Sequence, residues 1–363
     1  MMNNFSFGYK KIILFFILCS LFFLRINAQD SLTLHQLPEV FVSATPKIDT
    51  ISNKDYSVVD YLFFEDHILL LVYVNVFSKY ELLSLNEDFE EKHRLSLTDK
   101  RPIKLFKSCI DGVYLITEFY HYRIYLDASE IRLKQAKFGG LSEELVNPCA
   151  WSSDNFLYFT KYYFQGQAMK YYAIPHNENH SSHTLPLIEN EANIKLLIEE
   201  TGQRMPRSGD FWQANVSDGL EELRDLDYRL QGMMKIFYPK LYAPIYSIDS
   251  ILLLFNHSES KLQYYTESGS LFQEIDIHYH QNKKWKKEIF FDRIDQKVYT
   301  TFDTRWGETI HQIDLTNGSI GTSFFIERPF IDKKKVRAGF LYFLYHDPYT
   351  QSRNKMLHRI KIN

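Results

Sequence analysis

The sequence predicts an all-β protein folded as a six-bladed β-propeller, and three observations support this prediction. A turn followed by a short apolar strand recurs along the chain, most copies lie about 45 residues apart, and aromatic residues make up 16% of the sequence. Short β-branched and aromatic runs bounded by turn residues are typical of strands. A period of about 40–45 residues with several strands per unit is typical of propeller blades.

Each copy of the repeat opens with residues that tolerate tight turns, such as Asp, Asn, Gly or Ser. The copies start at Asp66, Asp111, Asp154, Asp249 and Asp295, with a weaker copy at Ala338. Their successive spacings are 45, 43, 95, 46 and 43 residues. The four short spacings each match one blade, so blades 1–3 are expected over residues 55–188 and blades 4–6 over 241–363.

The long spacing leaves room for an insertion at residues 189–240 or for a seventh blade. Apolar residues fall at helical spacing in Ile194–Glu200 and again in Leu220–Leu226. Ser217 and Asp218 precede the second run, where they fit an N-cap. These patterns favour six blades with a partly helical insertion, and seven blades is the alternative.

Closure of the ring is expected to use the N-terminal segment, residues 29–54. The last unit shows three strands, near 331–336, 340–346 and 356–362, and lacks an outermost one. The β-prone run Leu37–Ala44 is the predicted fourth strand. Pairing it with the last blade would close the ring and cover an exposed sheet edge.

The first 28 residues predict a secretory signal peptide. Lys10 and Lys11 precede an apolar run, Ile12–Leu24, and Ala28 is a small residue suited to cleavage. Thirteen helical residues rise only about 20 Å, less than the ~30 Å core of a bilayer, so a retained membrane anchor is the weaker alternative. We therefore expect a periplasmic or cell-surface protein without a transmembrane span after signal removal.

Composition and motifs limit the possible functions. Apolar residues form 45% of the chain, which excludes a disordered protein, and the net charge of −3 gives no general affinity for nucleic acid. No Gly-x-Ser-x-Gly elbow, Gly-rich phosphate loop or sialidase-type Asp box occurs. No cofactor is expected, and a catalytic site is not evident.

Histidine and cysteine patterns each allow two interpretations. His176, His180 and His183 fit a solvated loop better than a metal site, and His278 and His280 fit one side of a surface strand better than a metal site. The export prediction permits a disulfide between the cysteines at positions 109 and 149. Because disulfide geometry is demanding, two separate buried thiols are favoured.

The candidate ligand-binding residues are aromatic or cationic, and all lie in loops predicted to emerge on one face of the propeller. Cations and aromatic rings on one rim suit an anionic or sugar-containing ligand, or an acidic protein partner. The alternative is that the aromatic loops cap the ring and the lysines are solvated. The residues are Arg204, Arg207, Trp212, Lys283, Lys284, Trp285, Arg305, Trp306 and Tyr349.

Two resemblances to known families accompany these patterns. The turns Glu267-Ser268-Gly269 and Thr316-Asn317-Gly318, with apolar strands on both sides, resemble the outer hairpins of exported six-bladed β-propellers of Gram-negative bacteria. That resemblance implies the fold and little about activity. Leu37–Ala44 resembles the TonB box of outer-membrane receptors, although a closing strand remains the preferred interpretation.

The leading hypothesis is a non-catalytic exported propeller that binds a glycan, peptide or protein partner on the insertion-bearing face. A carbohydrate-active lyase or hydrolase, with its acid–base pair inside the channel, is one alternative. An accessory of TonB-dependent uptake that uses Leu37–Ala44 is another.

Overall fold

Six antiparallel sheets follow one another along the chain, which confirms the predicted six-bladed β-propeller. The structure is a computed structural model. It describes residues 47–98, 100–109, 112–127, 129–136, 149–178, 180–201, 238–347 and 354–362.

Blades 1, 2, 4 and 5 are four-stranded meanders, and blades 3 and 6 differ from them in their outer strands. The first strand of each blade of a propeller lies at the central channel. Blade 1 contains β2 (Ser57–Phe64), β3 (His67–Val74), β4 (Lys79–Leu85) and β5 (Glu91–Ser96). Blade 2 contains β6 (Pro102–Ser108), β7 (Gly112–Thr117), β8 (His121–Leu126) and β9 (Ile131–Gln135). Blade 3 contains β10 (Cys149–Ser152), β11 (Phe156–Tyr163), β12 (Ala168–Pro175) and two short outer strands, β13 (His183–Thr184) and β14 (Ile188–Glu189).

The second half of the ring repeats the same arrangement. Blade 4 contains β15 (Ile245–Ile248), β16 (Ile251–Asn256), β17 (Lys261–Thr266) and β18 (Leu271–Asp276). Blade 5 contains β19 (Trp285–Asp292), β20 (Lys297–Asp303), β21 (Glu308–Ile313) and β22 (Ile320–Ile326). Blade 6 contains β23 (Asp332–Arg337), β24 (Phe340–Tyr345), β25 (Met356–Lys361) and β1 (Ile48–Thr50).

The repeated apolar runs are the second strands of the blades. In β3 the consecutive residues Leu69, Leu70 and Leu71 are all buried, so both faces of the strand are covered. One face packs in a cluster with residues of blade 2, such as Leu115, and the other in a cluster with residues of blade 6. Burial between neighbouring blades therefore explains why these strands are continuously apolar instead of alternating.

The two outer turns noted in the sequence have the backbone that glycine favours. Gly269 has φ 85° between β17 and β18, and Gly318 has φ 73° between β21 and β22. A residue with a Cβ is strained at such angles, and at Gly318 a Cβ would also lie 2.2 Å from the carbonyl oxygen of Asp276. Both turns join the third and fourth strands of their blades, as the hairpin pattern predicted.

The N-terminal segment closes blade 6, but with a different strand from the predicted one. β1 pairs antiparallel with β25, with Ile48 opposite Ile360 and Thr50 opposite His358. The ladder is continued by the backbone N–H of Ile51, which donates to the carbonyl of Leu357 at 2.9 Å. The predicted strand Leu37–Ala44 lies outside the described residues.

The start of the insertion is helical, as its periodicity predicted. Helix α1 (Glu191–Thr201) buries Ile194 and Leu197, and the side chain of Asn190 caps it by accepting a hydrogen bond from Asn193 N at 3.1 Å. The second predicted helical run, Leu220–Leu226, lies outside the described residues. Among the described helices, none is both long and apolar enough to cross a bilayer.

A disulfide joins Cys109 and Cys149, with their Cα atoms 6.1 Å apart, which corrects the expectation of two separate thiols. Cys109 follows β6 and Cys149 begins β10, so the bond links the innermost strands of blades 2 and 3. Neighbouring innermost strands of a propeller run side by side, and this brings cysteines from successive repeats into bonding range.

Candidate ligand-binding face

The loops of the propeller emerge on two opposite faces. The connection face carries the connections between blades and the loops between second and third strands, including residues 75–78, 118–120, 277–284, 304–307 and 327–331. The turn face carries the turns between first and second strands. All the candidate residues from the sequence were assigned to the connection face.

Lys283 and Lys284 are exposed at the end of the connection from blade 4 to blade 5. The side chain of Asn282 accepts a hydrogen bond from Lys284 N at 3.0 Å. The carbonyl of Lys284 accepts one from Asp303 N at 2.8 Å. These bonds place the two lysines beside loop 304–307 of blade 5.

Loop 304–307 presents Arg305 and Trp306 together. The guanidinium of Arg305 lies 4.8 Å from the centre of the Trp306 ring, and the indole is 64% exposed. The Thr304 hydroxyl donates to the carbonyl of Gly307 at 2.9 Å and tightens the loop. A Cβ at Gly307 would lie 2.0 Å from the carbonyl oxygen of Ile326, so only glycine lets the loop lie this close to β22.

Trp285 occupies a different environment from its lysine neighbours. Its indole is half-buried, and its Nε1 donates to the Thr300 hydroxyl at 2.7 Å. The ring centre lies 4.6 Å from that of His257 and 5.8 Å from that of Tyr279. These are the contacts of a side chain that packs blade 4 against blade 5.

Four of the nine candidate residues lie outside the described residues. They are Arg204, Arg207, Trp212 and Tyr349.

The connection face also carries a set of exposed apolar side chains that the sequence did not single out. Each described large apolar side chain that is more than 60% exposed lies in a loop of this face. These residues, called here the apolar tips, come from blades 1, 2 and 5 and from the connection between blades 5 and 6. They are Val76, Phe77, Phe119, Trp306 and Phe330. An apolar residue in an otherwise polar loop, as in Asn75-Val76-Phe77-Ser78, is the signal that could have revealed them.

A buried ionic network lies under the connection face. Glu308 accepts hydrogen bonds from Lys286 Nζ at 2.6 Å and from Lys334 Nζ at 2.5 Å. Lys334 also contacts the carboxylate of Glu288. Lys334 therefore links the carboxylates of Glu288 and Glu308 in one network.

The structure shows the surroundings of the histidines that the sequence singled out. β18 ends at Asp276, and Tyr279–Gln281 form a 3₁₀ turn, so the prediction that His278 and His280 alternate on one strand was wrong. The rings of His180 and His183 pack against Phe156 at 5.3 and 4.9 Å. The described residues contain no group of three or more His, Cys, Asp or Glu side chains that could hold a metal ion.

A cavity of about 1340 Å³ lies against blade 3. Its walls include Tyr162, Tyr172 and His183 from the blade and Lys240 from the segment before β15. The outer strands β13 and β14 are only two residues each, so much of β12 has no outer neighbour, and this incomplete edge borders the space.

Comparison with known proteins found only distant structural similarities. The chain matches no protein-family model and no curated protein. Similar solved structures include a luciferin-regenerating enzyme, with 7% identity over 87% of this chain and 95% of that chain and a TM-score of 0.42. A streptogramin B lyase shows 10% identity over 87% and 98% of the two chains, with a TM-score of 0.36. BamB from Moraxella catarrhalis shows 8% identity over 84% and 83%, with a TM-score of 0.32.

Proposed function

We propose that this protein is a non-catalytic, exported propeller that docks a partner protein on its connection face. The observation that carries the proposal is the position of the apolar tips. Large apolar side chains that stand in water cost free energy unless a partner covers them, and clusters of them mark interaction sites. Here five such side chains share one face of the ring.

The distribution of the tips favours a macromolecular partner over a small ligand. Phe77 and Phe119 come from blades 1 and 2, whereas Trp306 and Phe330 belong to blade 5 and its connection to blade 6. A small molecule fills one pocket, but a protein interface covers about 800 Å² on each partner. Valine and phenylalanine also lack the hydrogen-bonding groups with which a glycan is usually oriented.

The charges near the tips define the chemistry of that partner. Arg305 stacks on Trp306, Lys283 and Lys284 lie in the neighbouring connection, and none of the three forms an ion pair with a described residue. Exposed cations beside aromatic rings fit a surface that combines apolar side chains with carboxylates. The proposed partner is therefore a protein with an acidic, partly apolar docking surface.

Two observations support export. The first 28 residues have the charge and hydropathy pattern of a signal peptide. The disulfide between Cys109 and Cys149 is a bond that persists in oxidising compartments and is rare in the cytosol. N-terminal sequencing of the protein from a periplasmic or surface fraction is expected to begin at Gln29, and an uncleaved N-terminus in a cytosolic fraction would contradict export.

Site-specific photo-crosslinking in the native host tests the docking face. A photoreactive phenylalanine analogue replaces Trp306 or Phe330. The control positions are Phe272, on a sheet edge, and Ile294, on the turn face. Their side chains are 52% and 59% exposed, respectively. We expect one protein adduct of the same mass from both connection-face positions and none from the control positions. Reversing the charges with K283E/K284E/R305E is expected to remove that adduct.

Three outcomes would contradict the proposal. Adducts formed equally from the control positions would show that the contact is nonspecific. An adduct of twice the chain mass would identify a second copy of the protein as the occupant. Binding of the purified protein to anionic phosphatidylglycerol vesicles, lost in a variant with the five tips changed to serine, would identify a lipid surface instead.

A further inference from the structure

Three cationic side chains gather at the turn-face end of the central channel. Lys107 is near the end of β6, Arg337 is the last residue of β23, and Arg293 directly follows β19. Because the first strand of every blade runs in the same direction along the channel, the ends of these strands meet at one mouth. The three residues come from blades 2, 6 and 5.

Hydrogen bonds between blades bring Arg293 close to Arg337. The carboxylate of Asp292 accepts hydrogen bonds from the backbone N–H groups of Ala338 at 3.0 Å and Gly339 at 2.7 Å. Asp292 directly precedes Arg293, and Ala338 directly follows Arg337. The hydrogen bonds between Asp292 and the segment 338–339 therefore hold the two arginines near each other.

Further hydrogen bonds place Lys107 beside Arg337. Arg337 Nη2 donates to the carbonyl of Glu65 at 2.9 Å, just beyond the end of β2. The carboxylate of Asp60 in β2 accepts a hydrogen bond from Leu105 N in β6 at 2.9 Å. That bond sets the two strands side by side, and Lys107, two residues beyond Leu105, lies close enough to Glu65 after β2 to interact with its charge.

Aromatic rings shape the wall of this mouth. The guanidinium of Arg293 lies 3.9 Å from the ring centre of Trp151 in blade 3, and that of Arg337 lies 5.2 Å from the ring of Phe63 in blade 1. Both rings therefore hold a guanidinium at this end of the channel.

No ion pair with a carboxylate of the described residues neutralises the charges of the mouth. Among the described residues, no carboxylate lies within 4 Å of the charged nitrogens of Lys107, Arg293 or Arg337. Burial lowers the pKa of Lys107 and of Arg293, and the two arginines lower that of Lys107 further, whereas Glu65 opposes this shift. Lys107 and Arg293 nevertheless remain accessible to solvent. A cluster of partly desolvated cations that repel one another is costly unless an anion neutralises it.

We propose that this mouth, called here the cationic mouth, binds a small oxyanion that carries a phosphate or several carboxylates. Two guanidinium groups and one ammonium group offer forked and point-like donors that match phosphate and carboxylate oxygens. The site lies on the turn face, away from the apolar tips. A result that refutes anion binding here would therefore leave the docking proposal untouched, and the reverse also holds.

The test is calorimetric titration of the full chain with inorganic pyrophosphate and, separately, with citrate, at constant physiological ionic strength. We expect saturable binding of at least one probe, and the choice between them distinguishes a phosphate from a carboxylate ligand. Changing Lys107 or Arg337 to Met is expected to weaken binding at least about tenfold, because each removes a charge-assisted hydrogen bond. K195M, an exposed position on helix α1, is the matched control and is expected to leave binding unchanged.

A second measurement separates a ligand site from a structural cluster. Without ligand, K107M is expected to raise the temperature of thermal unfolding, because it removes the repulsion between Lys107 and the two arginines, which the carboxylate of Glu65 offsets only in part. The proposal is overturned if neither probe binds saturably, if K107M and R337M bind as tightly as the unchanged protein, or if K107M lowers the unfolding temperature.

Discussion

The carboxylate of Asp292 lies 2.7 Å from the backbone nitrogen of Gly339 and accepts its hydrogen bond. Asp292 is fully buried at the end of β19, and it also accepts hydrogen bonds from Ile294 N and Ala338 N at 3.0 Å. One side chain therefore satisfies backbone donors in both blade 5 and blade 6 and fixes the angle between them.

Replacing Asp292 with Ala should destabilise the protein strongly. The change leaves buried backbone N–H groups without acceptors, and each lost charged hydrogen bond is worth roughly 1.5–3 kcal/mol, so we expect a loss of about 3 kcal/mol or more. Chemical denaturation measures it. D154N, an exposed substitution at the corresponding turn of blade 3, is the control and should change the free energy of unfolding by less than about 0.5 kcal/mol. Similar values for the two variants would refute this role.

Glu308 should matter far more to stability than Asp303, although both contact Lys286. The Glu308 side chain is 3% exposed and also binds Lys334, which is equally buried, whereas Asp303 is 63% exposed. Removing one member of a buried ion pair costs about 3–5 kcal/mol, and an exposed pair contributes about 0–1 kcal/mol. In urea unfolding we therefore expect E308Q to lower the free energy of unfolding by about 3–5 kcal/mol and D303N by about 0–1 kcal/mol. Equal effects would mean that water reaches the network.

His257 should make the protein less stable as the pH falls. Its Nδ1 donates to the Tyr242 carbonyl at 2.7 Å and its Nε2 accepts from the Tyr279 hydroxyl at 3.0 Å, a pattern that requires the neutral ring. Burial lowers its pKa from the ordinary 6.5 to about 4. Between these values the unfolded chain binds a proton that the folded protein does not, so acidification from pH 6.5 to 4 should remove on the order of 2 kcal/mol.

Two measurements isolate this histidine from others that titrate in the same range. The ring protons of His257 should titrate near pH 4 by NMR in the folded protein, and H257Q should flatten the dependence of unfolding free energy on pH. In Y279F, loss of the hydroxyl donor to Nε2 should raise the pKa of His257. A midpoint near 6.5 in the unchanged protein would contradict the burial argument.

Trp285 and its lysine neighbours should separate into different roles. W285A removes a packed indole and its hydrogen bond to Thr300, and truncating a buried Trp costs about 3–5 kcal/mol, with half-burial placing this one near the lower end. K283A/K284A should leave the unfolding temperature unchanged while weakening adduct formation from position 306. If W285A unfolds like the unchanged protein, the indole belongs to the ligand surface instead.

The repeat made the fold predictable, because each blade carries its own local signal. The turns at Asp66, Asp154 and Asp295 and the helical run Ile194–Glu200 were predictable from neighbouring residues alone. The strand that closes blade 6 could not be predicted from neighbouring residues. Ile48–Thr50 and Leu37–Ala44 are both β-prone, and only pairing with β25, some 300 residues away, selects between them.

The candidate site was predictable only where the loops themselves define it. The exposed positions of Lys283, Lys284 and Trp306 follow from loop sequence, and strand order places these loops on one face. The burial of Trp285 depends on His257 in the preceding blade. The cationic mouth depends on three strands that are distant in sequence, so no local pattern could reveal it.

The pairing of β1 with β25 also determines how the ring would respond to tension. Because the strands are antiparallel and Ile48 lies opposite Ile360, the first residue of β1 and the last residues of β25 lie at the same end of the strand pair. Force applied between these two points would load the hydrogen bonds one after another, as in a zipper, instead of all at once in shear. A pull on the N-terminal segment is therefore expected to peel β1 from β25 and to release the closure of blade 6.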